Sequence, residues 1–159
     1  MKGIVIYDTS FGNTRQIAEA IAEMLKKSGI DIDIFCVKDA KKLSAKDYDF
    51  LVIGSPTRWG TMSFAVKRFL GKLKAKEWRD RPFAAFDTEN PENLEKPEWS
   101  AAEKIAAKLK EKQMSQLLPV LKSLVTEQTM KGPLKEGEIE RAKKYAADLA
   151  ANLKKSKDK

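Results

Sequence analysis

The feature that most constrains the fold is a short apolar run joined to an amphipathic helix by a polar turn. Residues 3–7 are mostly apolar and include three β-branched side chains and one aromatic side chain without polar alternation, as in a central strand covered on both faces. From Thr14 onward, apolar residues recur at helical spacing with charged residues between them. Residues 9–14 therefore connect a buried strand to a helix N terminus.

This turn has the composition of an anion site. It consists of Thr9, Ser10, Phe11, Gly12, Asn13 and Thr14. The unpaired N–H groups of a first helical turn favour an anion, and Gly12 allows close approach of the backbone. Because the turn contains no lysine, it matches neither the nucleoside triphosphate loop nor G-x-G-x-x-G. The pattern favours a phosphate monoester held by neutral donors, and the alternative is a turn in which Asn13 or Thr14 only caps the helix. We call residues 9–14 the phosphate loop.

The composition suits one domain that depends on a cofactor for any chemistry. The 159 residues, 42% of them hydrophobic, predict a single domain over 1–153 and a basic, frayed tail over 154–159. No apolar run is long enough for a membrane span and no signal peptide is evident, so a cytoplasmic location is expected. A single cysteine, Cys36, excludes an internal disulfide. The absence of histidine argues against hydrolytic triads and metal sites, so we predict no catalytic side chain and no metal.

The net charge of +8 leaves two interpretations open. A basic surface attracts acidic partners or nucleic acid. However, the charges are interspersed and lack aromatic platforms, and the segment 154–159 alone holds four lysines against one aspartate. We therefore favour a solubilising surface over a nucleic-acid interface.

Strand and helix patterns alternate along the rest of the chain. Strands are predicted over 30–37 at a sheet edge, over 48–54, over 81–86 and within 116–126, where Pro119 breaks or kinks the strand; helices are predicted over 63–74, from 101 onward and over 138–153. This alternation predicts an α/β fold: a doubly wound, five-stranded parallel sheet of order 2-1-3-4-5 with helices on both faces. In such sheets ligands bind beyond the carboxyl ends of the strands, beside the switch between strands one and three. Polar loops follow strands one, three and four, and all three converge there.

The loop after the third strand has the groups that a flat aromatic ligand needs. Its central residues are Pro56, Thr57, Arg58, Trp59 and Gly60, and we call residues 55–62 the ring loop. Trp59 offers a stacking face, and Gly60 allows a backbone group to reach a ring edge. The alternative is a partly buried packing tryptophan, but a loop position between arginine and glycine favours the ligand role. Together, the two loops imply a planar heterocycle that carries one phosphate.

At these loops the chain resembles flavodoxin-like proteins. Residues 9–14 match the family pattern S/T-x-x-G-N/S-T, and residues 54–62 resemble G-S-P-T-x-W-G-T-M. The segment 132–138 resembles the flavodoxin-like domains of flavodiiron-type and archaeal proteins. The resemblance implies bound FMN. The phosphate loop, including Phe11, would surround the phosphate, residues 56–60 would line the ring, and a third loop beginning at Asp87 and Thr88 would cover the pyrimidine edge.

Two departures from the family are visible. Flavodoxin carriers are typically acidic, whereas this chain is basic. The third loop, residues 87–99, is also longer than usual and carries five acidic residues against one lysine. Near the ring, its negative charge would lower the flavin reduction potential, and Arg58 would act in the opposite direction.

Three functions remain open at this point. The first is an FMN-dependent electron carrier that serves redox partner proteins or small acceptors. The second is an FMN enzyme that passes hydride from NAD(P)H to a quinone or similar acceptor, although no separate dinucleotide motif is present. The third is a flavin-free interaction module on the same fold, which the intact loops disfavour.

Overall fold

The computed structural model describes residues 1–40, 43–126 and 131–158. Its strands are β1 (Lys2–Tyr7), β2 (Asp31–Cys36), β3 (Phe50–Pro56), β4 (Pro82–Glu89), β5 (Ser115–Gln116) and β6 (Leu121–Leu124). Its α-helices are α1 (Asn13–Lys27), α2 (Phe64–Lys72), α3 (Ala75–Trp78), α4 (Ala101–Glu111) and α5 (Glu138–Lys157). Short 3-10 turns cover Val37–Asp39, Ala45–Asp47, Pro91–Glu95 and Pro97–Trp99.

All strand pairs are parallel, and the order β2-β1-β3-β4-β5 confirms the predicted topology. The strand β2 lies at the edge, as expected. The fifth position is shared by two segments: β5 pairs with the beginning of β4, and β6 pairs with its end. Pro119 lies between them, and a proline without an N–H donor interrupts a ladder in this way.

Helices cover both faces of the sheet. On one face, Val5, Val52 and Ala84 pack with α1 and α5. On the other, Ile4, Ile53 and other residues of β1, β3 and β4 pack with α2 and α4. Each fully buried aliphatic side chain contributes about 1.5–3 kcal/mol, so the two-sided core explains why the central strands are continuously apolar. The doubly wound α/β prediction is confirmed.

Three predicted boundaries require correction. The strand β4 continues to Glu89 rather than ending at 86, because its last residues pair with β6 and β3. The helix predicted over 63–74 ends at Lys72 and is followed by the short α3. The helix α5 continues past residue 153 to Lys157, so most of the segment predicted as a frayed tail is helical. The ammonium of Lys154 donates to the Ser28 carbonyl at 2.8 Å, which ties this end of α5 to the C terminus of α1.

Two absences hold for the described part of the chain. None of its helices combines the length and the apolarity that a membrane crossing requires. No group of three or more acidic or cysteine side chains in it is arranged to hold a metal ion.

Candidate functional site

Three loops meet at the carboxyl edge of the sheet, as the strand order requires. The strands β1, β3 and β4 lie side by side and deliver the phosphate loop, the ring loop and the third loop to one place. A small cavity there is lined by Thr9, Ser10, Phe11, Asn13, Thr14, Pro56, Arg58 and Thr88. All eight belong to the set of site residues predicted from the sequence, so the fold brings these distant segments together.

The phosphate loop leaves the N terminus of α1 open. Gly12 precedes the helix in the left-handed conformation, with φ of 89°, and its N–H donates to the Thr9 hydroxyl at 2.9 Å. No side chain caps α1, so the N–H groups of its first turn remain available at the positive end of the helix dipole. The alternative in which Asn13 or Thr14 caps this helix is therefore wrong.

Two buried side chains of α1, Asn13 and Thr14, line the cavity. The amide nitrogen Nδ2 of Asn13 is buried and has no hydrogen-bond partner among the described residues. Thr14 is 1% exposed, and its hydroxyl lies 2.8 Å from the hydroxyl of Thr88 on β4. One hydroxyl of this pair donates to the other, which leaves the remaining proton for a further acceptor. The cavity therefore contains an amide and a hydroxyl pair beside the uncapped N terminus of α1.

A distant segment closes the phosphate loop from outside. Gly132 packs against Asn13 so tightly that a Cβ added at Gly132 would lie 2.3 Å from Nδ2. Its neighbour Lys131 places its ammonium 5.8 Å from the centre of the Phe11 ring. The phosphate loop itself contains no lysine, and this cation could not be predicted from the loop because it comes from a segment almost 120 residues away.

The ring loop folds into a tight hairpin that presents a tryptophan. Arg58 and Thr61 exchange two backbone hydrogen bonds of 2.9 and 3.0 Å. The two residues between them, Trp59 and Gly60, have φ of 52° and 74°, the left-handed pair that such a turn requires. Positive φ is unfavourable for a bulky residue, and the Trp59 side chain is 93% exposed. A strained and exposed tryptophan contributes little to the core, so the packing alternative for Trp59 is wrong.

A second tryptophan, Trp99, lies against the ring loop and is not among the site residues predicted from the sequence. The indole of Trp99 covers Gly60, where an added Cβ would lie 3.0 Å from the ring. Lys96 places its ammonium 5.2 Å from the centre of the same indole. Trp99 immediately precedes Ser100, whose hydroxyl caps α4 by accepting from the Glu103 N–H. The sequence does contain one signal for Trp99: it is an aromatic residue directly before the serine that caps a helix, at the end of the third loop.

The structure places Asp87 inside the protein rather than at a ring edge. Its side chain has no exposed surface. The atom Oδ2 accepts hydrogen bonds from the Ser100 hydroxyl at 2.7 Å, the Ala102 N–H at 3.1 Å and the Thr57 hydroxyl at 3.2 Å. The Thr57 hydroxyl also accepts from the Ala101 N–H at 3.0 Å. We therefore revise the expectation for Asp87: its carboxylate joins the ring loop to the start of α4, whereas Thr88 lines the cavity.

Glu89 is the second buried carboxyl on this face of β4 and is 1% exposed. Burial raises its pKa to about 9, and the neighbouring charge of Asp87 adds to the effect. Burial also raises the pKa of Asp87, although the hydrogen bonds that it accepts oppose this. Both shifts disfavour two adjacent buried charges at this place.

Comparisons with known proteins agree with this geometry. A family model described as a flavodoxin domain matches residues 4–158. Among solved structures, a flavodoxin from the domain Archaea superposes with a TM-score of 0.79 and 26% identity, covering 97% of this chain and 99% of that one. The oxidised flavodoxin 1 of Bacillus cereus superposes with a TM-score of 0.77 over 95% of this chain and 98% of its own, and at 20% identity this likeness concerns the fold alone.

Curated relatives match over part of their length. A flavodoxin of Aquifex aeolicus is 37% identical over 78 residues, which are 48% of this chain and 42% of that protein. A protoporphyrinogen IX dehydrogenase (quinone) of Escherichia coli K12 is 35% identical over 72 residues, 45% of this chain and 40% of the relative. The matches thus span about two fifths of these relatives. The cofactor of flavodoxins is FMN, and on the match over residues 4–158 this chain belongs to the flavodoxin domain family.

Proposed function

We propose that this protein binds FMN at the carboxyl edge of its sheet and carries electrons between redox partners. The observation that carries the proposal is the uncapped N terminus of α1, beside which the Asn13 amide nitrogen is buried without a partner. A buried donor without an acceptor costs about 1–3 kcal/mol, and a phosphate at this position would remove that cost. The residues present therefore fit the phosphate of FMN.

The same residues define the roles that we assign. The N–H groups of the first turn of α1, the Asn13 amide and the Thr14–Thr88 hydroxyl pair would hold the phosphate. Lys131 would add a positive charge near it, at the Phe11 side. Trp59 would stack on the isoalloxazine ring, and Trp99 would border the space for that ring on the side of Gly60. We call this space, between Trp59 and Trp99, the ring slot. When bound, FMN supplies the ability to accept and release electrons one at a time.

The chain's own residues need not transfer protons to do this. The chain contains no histidine, and the buried residues Asp87 and Glu89 do not line the cavity. A carrier requires a tightly held cofactor and an accessible ring edge, and an exposed Trp59 at the tip of a hairpin is compatible with both. These features support the carrier over an enzyme with its own acid or base.

A second candidate is an FMN enzyme that oxidises NAD(P)H and reduces a quinone. It is favoured by a relative named NAD(P)H dehydrogenase (quinone) in Archaeoglobus fulgidus, 25% identical over 103 residues, which are 49% of this chain and 53% of that protein. Reductive titration and steady-state assays separate the two candidates. We expect FMN-loaded protein to be reduced in two separate one-electron steps and to consume NAD(P)H slowly with benzoquinone. Rapid, saturable NAD(P)H consumption would instead support the enzyme.

A further inference from the structure

The most anomalous buried groups in the described structure are the carboxyls of Asp87 and Glu89. They lie two residues apart on one face of β4, and both are shielded from solvent almost completely. Removing a carboxylate from water is costly unless hydrogen bonds or a proton compensate it. The proposed electron transfer uses neither group as an acid or base, so their retention at this place needs another explanation.

The hydrogen bonds of Asp87 reach the two segments that carry the tryptophans. Thr57, a donor to Asp87, lies two residues before Trp59. Ser100, another donor, directly follows Trp99. Because one oxygen atom, Oδ2, accepts from both, it fixes the distance between the ring loop and the start of α4. The position of Trp99 over Gly60 depends on that distance.

Glu89 has no such set of donors. Neither of its carboxyl oxygens has a hydrogen-bond donor among the described residues, and Asp87 Oδ1 also lacks one. The charged groups that act on Glu89 are Asp87 on the same strand, Lys122 on β6 and Glu103 on α4. The Lys122 ammonium lies 4.0 Å from the Glu103 carboxylate, so the positive charge of Lys122 acts on both Glu103 and Glu89. A proton on Glu89 leaves one charge on the pair, whereas two adjacent buried charges would repel each other.

We propose that Asp87 is a positioning residue for the flavin ring, and that Glu89 holds the proton that keeps Asp87 bound to the ring loop and to α4. This inference rests on the proposed FMN site but concerns residues that do not touch the cofactor. It assigns the acidic start of the third loop a role in shaping the ring slot. It also links the affinity for the ring to pH.

The positioning role is tested by comparing FMN with riboflavin, which lacks the phosphate. Asp87→Ala should weaken both ligands by the same factor, about tenfold or more, because several hydrogen bonds that shape the ring slot are lost. Asp87→Asn keeps an acceptor oxygen and should restore most of the affinity. Thr57→Val, which removes one link only, should act in the same direction if Asp87→Ala does not fold. Unchanged riboflavin affinity in these variants would overturn the positioning role.

The presence of a proton on Glu89 is tested with flavin-free protein. The infrared difference spectrum between wild type and Glu89→Gln at pH 7 should show the carbonyl band of a buried protonated carboxyl, and the exposed control Glu103→Gln should leave that band in place. Absence of the band would overturn the proton assignment. Since the measurement uses flavin-free protein, it remains decisive even if FMN does not bind and the proposed function fails.

The link to pH is tested with FMN present. From pH 7 to 10 the FMN affinity of wild type should fall by a larger factor than that of Glu89→Gln, because only the wild type gains a second buried charge. FMN itself titrates in the same way with both proteins, so comparing the two affinities at each pH removes that contribution. Parallel curves for the two proteins would contradict the link.

Discussion

The buried hydroxyl pair of Thr14 and Thr88 offers the sharpest test of the phosphate site. The two oxygens are 2.8 Å apart, and the side chains are 1% and 4% exposed. Thr14→Val and Thr88→Val keep the shape of each side chain but remove its hydroxyl. Each single variant leaves the other hydroxyl buried without its partner, which costs about 1–2 kcal/mol of the free energy of unfolding. The free energy of unfolding of the double variant should fall by about 1 kcal/mol less than the sum of the two single losses, because it leaves no buried hydroxyl without a partner.

The same variants should also change the affinity for FMN. One proton of the pair is used between the hydroxyls, and the other is available to the phosphate. A hydrogen bond to a charged phosphate contributes about 1.5–3 kcal/mol, so Thr14→Val should weaken FMN by roughly 10- to 100-fold. Riboflavin affinity should stay within about threefold of wild type, since no phosphate is involved.

Denaturant unfolding gives the stabilities, and quenching of flavin fluorescence gives the affinities. Two results would refute the reasoning. Additive losses of stability in the double variant would show that the hydroxyls do not interact. An equal loss of FMN and riboflavin affinity in Thr14→Val would show that the threonine affects the ring rather than the phosphate.

Three further predictions concern single substitutions of Trp59, Arg58 and Glu89. Trp59→Ala should change the free energy of unfolding by less than about 0.5 kcal/mol, because the side chain is 93% exposed. The variant should quench flavin fluorescence less and should bind FMN about threefold to tenfold more weakly. Unchanged quenching would show that Trp59 is not part of the site. Arg58→Ala should lower the potential for full reduction of bound FMN, since a positive charge beside the anionic reduced ring is lost, and a redox titration that gives no change or a rise rejects this. Glu89→Gln should alter stability in a pH-dependent way. Burial raises the pKa of Glu89 from 4.5 to about 9, so the folded protein keeps a proton that the unfolded chain releases. The contribution of Glu89 to wild-type stability is then complete below pH 4.5 and falls by up to about 1.4 kcal/mol per pH unit as the pH rises toward 9, whereas Glu89→Gln lacks this fall. Chemical unfolding at pH 5 and pH 8 should show the stability difference between the two proteins shifting by at least about 2 kcal/mol in favour of the variant.

The sheet topology could be predicted because the apolar pattern of each strand reports how it is covered. The continuous runs at β1 and β3 indicated central strands, and the aspartates of β2 indicated an edge, which the structure confirms. Both loops were also visible, since glycine and hydroxyl residues at the ends of these strands have few structural reasons to be there. The strand order then sufficed to bring the phosphate loop and the ring loop together.

The remaining features depend on partners that are distant in sequence. The polar end of β4 resembled a loop because nothing local shows that Ser100, Ala102 and Thr57 would supply donors to Asp87. Trp99 and Lys131 join the site only through the fold. The C-terminal part of α5 looked frayed because lysines dominate it, but Lys154 finds the Ser28 carbonyl at the end of α1. Such contacts cannot be obtained from periodicity.

The central claim is that a phosphate-bearing flavin binds at the open N terminus of α1. Its most direct test is a titration of flavin-free protein with FMN and, in parallel, with riboflavin, followed by flavin fluorescence and the visible spectrum. We expect tight FMN binding with strong quenching by Trp59 and clearly weaker binding of riboflavin. If neither ligand binds, or if the two bind equally well, the assignment of the phosphate loop is wrong.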